Sequence, residues 1–232
     1  MTELLTLKNV TKKYKTKTAL DDFTYKFTKG KIYGLLGHNG AGKTTLIKLI
    51  NDLLVPTSGE ILIKGHRPGV ESKLATSYLP ERTYLDKQLT VDEVLDFFAD
   101  FYENFDRKKA EKLLKDLKLD RTQKIAKMSK GMQEKVQIAL VMSRRADLYI
   151  LDEPLGGVDP ATRDYILRTI LTNFDDRASM IISTHMIGDI ERILDEVIFM
   201  SEGKIAMSGS ADQLRKEHHS SIDEIFRDKF KF

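Results

Sequence analysis

The segment from residue 31 to residue 53 constrains the fold of this chain more than any other. Residues 32–36 form a short apolar run with the length of one buried strand, and a glycine-rich loop follows it. After the loop, apolar side chains recur at the spacing of one helix face, at Leu46, Leu49, Ile50 and Leu53. The segment therefore predicts a strand, a loop and a helix in that order.

The loop carries the pattern G-x-x-x-x-G-K-[ST], as GHNGAGKT at 37–44. Gly37, Gly40 and Gly42 allow the backbone to adopt positive φ and to approach a phosphate closely, with successive N–H groups pointing inward. Lys43 can then reach the β- and γ-phosphates, and the Thr44 hydroxyl can bind Mg²⁺. A glycine-rich turn with a chance lysine would give the same letters, but the flanking strand and helix favour a phosphate-binding loop.

Two carboxylates end a later apolar strand, in LYILDEP at 148–154. Asp152 at the strand tip suits the role of holding Mg²⁺, directly or through water. Glu153 is placed where a carboxylate can orient or deprotonate an attacking water. A solvated acidic strand end is the alternative interpretation, and the preceding phosphate loop disfavours it.

Composition limits the class of protein. The 232 residues are 41% hydrophobic and 31% charged, which is typical of a globular chain and not of a disordered one. The net charge of +3 selects no particular partner. The chain has no cysteine, which excludes disulfides and thiolate metal sites, and no apolar run approaches the length of a membrane span. We therefore expect a cytoplasmic protein.

The periodicity of the remaining segments predicts an α/β core with an all-helical insert. Strands are predicted at 4–10 and 20–27 as a half-exposed antiparallel pair, and at 60–64, 75–80, 148–151, 180–183, 196–200 and 204–207. Residues 90–145 are predicted to be helical with N-caps at Thr90, Asp106 and Ser129, followed later by helices at 159–174 and 187–194. The insert explains why 109 positions separate Lys43 from Asp152, whereas a simple βαβ crossover needs about 30 residues.

The motifs and their order resemble the ATP-binding subunits of ABC transporters over essentially the whole chain. The resemblance rests on Tyr14, GHNGAGKT at 37–44, YLPE at 78–81, MSKGMQ at 128–133, LYILDEP at 148–154, GGVDP at 156–160 and STH at 183–185. The fold that it implies is a P-loop NTPase core with an N-terminal antiparallel β subdomain and an inserted all-helical subdomain. As one ABC ATPase domain over 1–232, the chain divides into a core at 1–81 and 146–210, a helical subdomain at 82–145 and a C-terminal helical tail at 211–232.

The resemblance also assigns roles to residues of an ATP and Mg²⁺ site. Glu153, His185 and Lys43 are the implied catalytic residues, and Thr44, Glu81 and Asp152 are the implied metal ligands. The implied nucleotide contacts are Tyr14, Gly37, His38, Asn39, Gly40, Ala41, Gly42, Lys43, Thr44, Thr45, Ser129 and Gly131, of which Ser129 and Gly131 reach the nucleotide of a second copy.

Several of these residues also have plain structural interpretations. Ser129 can be an ordinary helix cap, and Tyr14 can be an aromatic residue in a basic turn instead of a ring stacked on adenine. A histidine at a strand end, such as His185, is usually a surface residue without a catalytic role. Asp159 matches an aspartate that contacts the partner copy in the family, and it is equally a natural N-cap before Pro160.

Three departures from the family pattern bear on mechanism. Glu81 stands where the family usually has glutamine, which adds charge and removes a donor. The signature Leu-Ser-Gly-Gly-Gln is here Met-Ser-Lys-Gly-Met at 128–132, and Ser-Ala-Leu-Asp is here Gly-Gly-Val-Asp at 156–159. The YLPE and SKGM variants resemble bacterial ABC-2 type exporters of the bacitracin-resistance and lantibiotic-immunity kind.

The implied function is an ATP-hydrolysing subunit that drives a separate membrane permease, for export of an antimicrobial peptide, drug or lipid-like cargo. We expect a homodimer or a heterodimer with a sister ATPase, peripheral on the inner face of the membrane, with the permease docked between Glu81 and the helices of 90–119. An ABC-type ATPase acting on DNA or ribosomes is the alternative, but the chain lacks a long coiled-coil insertion, a second cassette and a basic stripe, so no nucleic acid is expected. A binding-only module is disfavoured by the complete set of catalytic residues.

The tail segment at 221–226 resembles a motif near the end of ABC-2 ATPases. A plain amphipathic helix packed on the core is the simpler interpretation and the one we favour.

Overall fold

The computed structural model describes residues 3–156 and 158–230. The strands are β1 (Glu3–Tyr14), β2 (Lys17–Thr28), β3 (Ile32–Leu36), β4 (Ser58–Ile63), β5 (Thr76–Leu79), β6 (Leu148–Asp152), β7 (Ser179–Thr184), β8 (Glu196–Ser201) and β9 (Lys204–Ser210). The helices are α1 (Lys43–Ile50), α2 (Val70–Ala75), α3 (Val91–Phe101), α4 (Arg107–Asp116), α5 (Lys130–Met142), α6 (Pro160–Asn173), α7 (Ile187–Ile190), α8 (Ala211–His218) and α9 (Ile222–Lys229). The predicted α/β class is confirmed.

The larger sheet has six strands in the order β5-β6-β7-β3-β8-β9. The first five are parallel, and β9 pairs antiparallel with β8 at the edge. The carboxyl ends of β6, β7 and β3 therefore lie side by side, and the loops that leave them meet at one edge of the sheet.

Both faces of this sheet are covered, which is why its central strands are continuously apolar instead of alternating. Along β6, Leu148 and Ile150 pack with the N-terminal strands and α1. The intervening Tyr149 and Leu151 pack with the helices on the opposite face. Consequently all five residues of β6 and all six of β7 are buried.

The smaller sheet has the order β2-β1-β4, with β1 in the middle and all pairs antiparallel. The prediction of a half-exposed strand was wrong here, because Leu4, Leu5, Thr6 and Leu7 are all buried. The alternation is lost further along, where Asn9 has a φ of +50° and the register with β2 shifts. Tyr14 is the last residue of β1, not part of a longer turn.

The helix boundaries follow their capping residues. Thr90, Asp106, Ser129 and Asp159 each accept a hydrogen bond from a backbone N–H in the first turn of α3, α4, α5 and α6, as predicted. α1 ends at Ile50, so the prediction that Leu53 lies on its apolar face was wrong, and Leu53 is 55% exposed.

Three other segments differ from the prediction in smaller details. The predicted helix at 187–194 is α7 followed by a 3-10 turn at Glu191–Ile193. α2 was not predicted, and it is short and carries one buried residue, Ser72. The predicted tail folds into α8 and α9, and its last residues, 231 and 232, lie outside the described part. The division of the chain into subdomains stays a prediction.

A buried arginine connects the end of α5 to α2, to β5 and to the segment between α3 and α4. Arg144, just after α5, is 5% exposed and stacks 3.8 Å from the ring centroid of Tyr102. Its guanidinium donates to the carbonyl oxygens of Thr76 (2.8 Å) and Lys73 (2.9 Å) and to Oδ1 of Asn104 (3.1 Å). Burial lowers its pKa, but an arginine stays charged at neutral pH. The buried positive charge is therefore stabilised by the carbonyl dipoles at the end of α2 and the start of β5.

We expect Arg144→Met to lower the free energy of unfolding by about 2–4 kcal/mol, because it leaves buried carbonyls without donors. The neighbouring Arg145 is a matched control: its side chain is 83% exposed and lies 3.4 Å from Asp106. Arg145→Met should cost less than about 1 kcal/mol. Urea unfolding followed by circular dichroism measures both, and equal losses would contradict the role given to Arg144.

Candidate functional site

The glycine loop leaves β3 at Leu36 and enters α1 at Lys43, as predicted. Gly42 has a φ of +106°, and a Cβ there would lie 2.6 Å from the carbonyl oxygen of Ala19. A Cβ at Gly37 would lie 2.6 Å from the carbonyl oxygen of Met200. Only glycine fits either position, so the neighbouring strands themselves impose the loop conformation.

Lys43 is buried at the centre of this loop, with its side chain 5% exposed. Its ammonium donates to the carbonyl oxygens of Gly37 (2.6 Å) and His38 (3.2 Å) and lies 3.5 Å from Oε1 of Glu153. The loop thus holds a desolvated cation opposite a carboxylate from another strand, where charges interact more strongly than in water.

Asp152, at the end of β6, is 1% exposed and lies beneath the loop. Its Oδ1 accepts hydrogen bonds from the hydroxyls of Ser183 and Thr44, the latter at 3.4 Å. Its Oδ2 is buried and has no hydrogen-bond partner among the described residues. Burial raises the pKa of Asp152, and the nearby carboxylates of Glu153 and Glu81 act in the same direction.

This arrangement fits a divalent cation. A buried carboxylate oxygen without a donor, next to a threonine hydroxyl, is an oxygen pair of the kind that Mg²⁺ prefers. No cluster of three or more histidine, cysteine or acidic side chains in the described chain could hold a metal without other ligands. Water molecules or phosphate oxygens would therefore have to complete the coordination.

Glu153 follows Asp152 in a left-handed conformation, with φ of +50°. Its backbone N–H donates to the carbonyl oxygen of Ser183 (3.0 Å), which fixes this unusual turn. The carboxylate is 10% exposed; Oε1 faces Lys43, and Oε2 lies 3.0 Å from Nδ1 of His185. The predicted catalytic residues Lys43, Glu153 and His185 therefore form one chain of polar contacts.

A cleft of about 1040 Å³ opens in front of this chain. The predicted site residues that line it are Tyr14, His38, Asn39, Gly40, Gly42, Lys43, Thr44, Thr45, Glu81, Glu153 and His185. Gly37, Ala41 and Asp152 lie behind that surface, where they support the loop and the cation position. Tyr14 is 43% exposed at the rim, and its ring is free to stack on a planar ligand, although the Lys12 ammonium lies 5.2 Å from its centroid.

Ser129 and Gly131 are not brought into this cleft of their own chain, within the part that the structure describes. Ser129 is exposed, and its hydroxyl accepts from the N–H of Met132 at 3.3 Å as an N-cap. A Cβ on Gly131 would lie 3.9 Å from Cγ1 of Val158, which places the MSKGMQ segment beside the loop that carries Asp159. Lys130 and Gln133 of the same segment do line the cleft, so the segment lies at its edge, with Ser129 and Gly131 outside the lining.

Sequence reasoning missed one carboxylate at the site. Glu134 on α5 lines the cleft, its side chain is 14% exposed, and burial raises its pKa. With Glu81 and Glu153 it also borders a narrow gap between α5 and the end of β6. The sequence signal that could have identified Glu134 is its position four residues after Lys130, which places both side chains on one face of α5. In the structure the Lys130 ammonium and the Glu134 carboxylate lie 3.7 Å apart.

This chain is similar to known proteins in family, in sequence and in fold. Residues 20–156 match the family model described as ABC transporter. The SkfA peptide export ATP-binding protein SkfE of Bacillus subtilis is 32% identical over 211 residues, which cover 88% of this chain and 87% of the relative. A structure titled "Structure of ATP binding subunit of ABC transporter" superimposes with a TM-score of 0.88 at 30% identity, covering 98% of this chain and 100% of that one. The fold also matches "Dimeric Structure of MJ0796, a Bacterial ABC Transporter Cassette", with a TM-score of 0.79 at 24% identity over 89% of this chain and 98% of that one.

The raised pKa of Asp152 predicts that the carboxylate destabilises the free protein at neutral pH. We expect Asp152→Asn to raise the melting temperature in EDTA at pH 8 by about 2–4 °C, corresponding to roughly 1 kcal/mol. Because the folded pKa is raised, the carboxylate becomes protonated and its cost disappears as pH falls. The stabilisation should therefore shrink towards pH 5, as measured by calorimetry.

Asp147 is the matched control for this measurement. Burial acts to raise its pKa, but the ion pairs with Lys64 (2.6 Å) and Lys29 (2.9 Å) outweigh burial and lower it. Asp147→Asn should therefore lower the melting temperature at pH 8. The loss in free energy of unfolding should be less than about 1 kcal/mol, because the ion pairs with Lys29 and Lys64 are partly exposed to solvent. A loss of stability in Asp152→Asn at pH 8 would contradict the assignment of a buried carboxylate whose charge destabilises the free protein.

Proposed function

The chain belongs to the ABC transporter family, and from this premise we propose that it binds and hydrolyses ATP to power a separate membrane permease. The observation that carries the proposal is the line of contacts from Lys43 through Glu153 to His185, at the mouth of a nucleotide-sized cleft. The roles of the individual residues below are part of the proposal.

We assign nucleotide binding to the loop and its surroundings. Tyr14 at the rim stacks on the adenine ring, and the N–H groups of the loop together with Lys43 hold the β- and γ-phosphates. Thr44, Asp152 and Glu81 would hold Mg²⁺, which would supply positive charge to the phosphates when bound. The residues present fit that cation, as the unpartnered Oδ2 of Asp152 indicates.

We assign the chemistry of hydrolysis to Glu153 and His185. The water oxygen forms a bond to the γ-phosphorus while the bond to the bridging oxygen breaks, and the water proton passes to the Glu153 carboxylate. His185 holds that carboxylate through the 3.0 Å contact to Oε2. Lys43 stays within reach of the phosphate oxygens on which negative charge accumulates.

We propose that two copies, or this chain and a sister ATPase, close head to tail around the nucleotide. Ser129 is exposed at the N-terminus of α5, where its hydroxyl and the following N–H groups suit an anion. Because Ser129 and Gly131 lie outside their own cleft, the anion they would contact is the γ-phosphate held by the partner. The structural neighbour whose title describes a dimeric cassette supports this arrangement by its fold.

A separate membrane protein is the proposed partner. None of the helices in 3–156 and 158–230 has the length and hydrophobicity needed to cross a membrane. The groove between β5 and α3 has a volume of about 460 Å³ and is lined by Tyr84, Phe98, Phe101 and Tyr102. Phe101 is 66% exposed and Tyr84 48%, so apolar surface remains available for a helix of the permease.

The groove also has a charge preference. Lys48, Lys73, Arg82 and Arg144 line it, and no carboxylate does so among the described residues. Lys73 and Arg144 already have partners within the chain, at Asp52 and at the carbonyls described above. An amphipathic segment with apolar and acidic side chains is therefore the partner that fits best.

The cargo is proposed only as a class. The relative SkfE is named for peptide export. Together with the SKGM and YLPE variants, this supports an exporter of an antimicrobial peptide, drug or lipid-like molecule at the inner face of the cell membrane.

Glu153→Gln tests the catalytic assignment. The amide cannot accept the water proton, so steady-state ATP hydrolysis should fall by about 10²-fold or more while ATP binding persists. A coupled phosphate-release assay measures turnover. Glu202→Gln is the matched control, because Glu202 has the same left-handed backbone, with φ of +49°, in the exposed turn between β8 and β9. Full turnover in Glu153→Gln would refute the role of Glu153.

The same variant tests the dimer, because ATP that is not hydrolysed should hold two copies together. Size-exclusion chromatography with light scattering should show an ATP-dependent dimer of Glu153→Gln. Adding Ser129→Arg, which places a bulky side chain at the proposed contact, should return the chain to a monomer. A dimer that survives this addition would show that Ser129 does not face the partner's nucleotide.

Phe101→Asp tests the docking groove. An acidic group on the exposed aromatic face should reduce co-purification with the permease that pulls down with the parent chain by at least about tenfold, as loss of a central contact does. The basal ATPase rate of the isolated chain should remain. Val70→Asp is the control, since Val70 is 79% exposed and lies outside the groove lining. Equal co-purification of Phe101→Asp and the parent would reject this surface.

A further inference from the structure

The C-terminal helix α9 is packed directly against the phosphate-binding loop. Phe226 of α9 is 5% exposed, and its ring centroid lies 4.9 Å from that of His38. Phe230, just after α9, lies 5.9 Å from the same imidazole at an angle of 83°, edge to face. The His38 ring is thus in contact with two aromatic rings of the tail.

The aromatic cluster is itself anchored in the sheet. Phe199 on β8 is fully buried and lies 5.5 Å from Phe226 and 6.3 Å from Phe230. Phe226 and Phe230 lie 4.8 Å apart. The rings of Phe226 and Phe230 therefore lie between β8 and His38. Through these contacts, the packing of the rings on β8 can fix the position of the His38 imidazole.

The backbone of His38 is part of the lysine cradle. Its carbonyl oxygen accepts from the N–H of Ala41 (3.1 Å) and from the ammonium of Lys43 (3.2 Å). A shift of the imidazole would move this carbonyl and, with it, the cation that reaches the phosphates. His38 is also one of the residues that line the cleft.

The tail has a second attachment, near the segment that carries His185. The N–H of Asp223 donates to Oε2 of Glu191 at 3.1 Å, and the Arg215 guanidinium donates to the Glu191 carbonyl oxygen. Glu191 lies in the 3-10 turn that follows α7, which begins two residues after His185. α9 therefore links the loop after β3 to the segment after β7.

We propose that α9 is a positioning element of the nucleotide site: Phe226 and Phe230 hold His38, and His38 holds the phosphate-binding loop in the conformation that binds nucleotide. The proposal rests on the proposed ATP binding at this loop and goes beyond it, because it gives the tail a function other than core packing. Phe226 and Phe230 are positioning residues that act through His38 and do not touch the nucleotide.

A double-mutant cycle on the full chain tests this proposal. Phe226→Ala and His38→Ala should each raise the Kd for a fluorescent ATP analogue by about three- to tenfold, because either change releases the same loop. Since Phe226 is proposed to act on the loop only through His38, the double variant should bind no more weakly than the weaker-binding single variant. Additive losses in the double variant would overturn the proposal.

Leu214→Ala is the matched control for lost packing. Leu214 on α8 is 6% exposed and its side chain packs on Gly209 of β9, so its truncation removes a buried apolar side chain of the tail away from the loop. It should lower the melting temperature without changing the Kd. A Phe226→Ala variant that melts early but binds the analogue like the parent would show that the helix only completes the core.

The imidazole signal of His38 gives a readout independent of binding and activity. In a proton–carbon NMR spectrum of the histidine side chains, assigned with His38→Ala, the His38 resonance should move when Phe226 is changed to Leu, which keeps apolar volume but removes the ring current. An unmoved resonance would contradict the contact. If the parent chain fails to bind the analogue at all, ATP binding is refuted, while the resonance still reports on the tail contact.

Discussion

The interaction on which the site depends is the burial of the Lys43 ammonium opposite the carboxylates that end β6. A lysine that is 5% exposed is costly unless oxygens surround it, and here two loop carbonyls and Glu153 do so. The parallel order β6-β7-β3 brings these groups together, because it places the ends of three strands at one edge. The low exposure that makes the cation costly also strengthens its attraction for phosphate.

The same edge brings four carboxylates close to the buried lysine. Asp152, Glu153, Glu81 and Glu134 all lie at or beneath the cleft, and the pKa values of Asp152 and Glu134 are raised by burial. Glutamate at position 81 adds to this charge where the family usually has an uncharged glutamine. Lys17, Arg82, Lys87 and Lys130 line the same cleft, so a polyphosphate meets cations as well as these carboxylates. A divalent cation beside Asp152 would offset the carboxylates nearest the loop and would link metal and nucleotide binding through electrostatics.

Much of this could be predicted from sequence, because local chemistry determined it. The loop at 37–44 and the caps Thr90, Asp106, Ser129 and Asp159 form as predicted, since glycine spacing and a side-chain acceptor act within a few residues. The errors concern neighbours that lie far away in sequence. Thr6 reads as solvent-facing, but it is buried in β1, the middle strand of the smaller sheet. Glu134 and the contact between His38 and Phe226 depend on how α5 and α9 pack, which no local pattern records.

Some residues of the site are fixed by the central sheet, and others lie in a loop or on a helix beside it. The second group can move relative to the phosphate loop more easily than the first. Lys43, Asp152 and Glu153 follow strands that are buried on both faces, so their spacing is fixed by dense packing. Glu81 lies just after β5 and Glu134 lies on α5, and the polar contacts of Arg144 join the end of α5 to the start of β5. Arg82 lines both the cleft and the proposed permease groove, and α5 contributes Glu134 to the first and Val141 to the second. If a permease segment bound in the groove and moved Arg82 or α5, it would therefore also change the charge around the cleft.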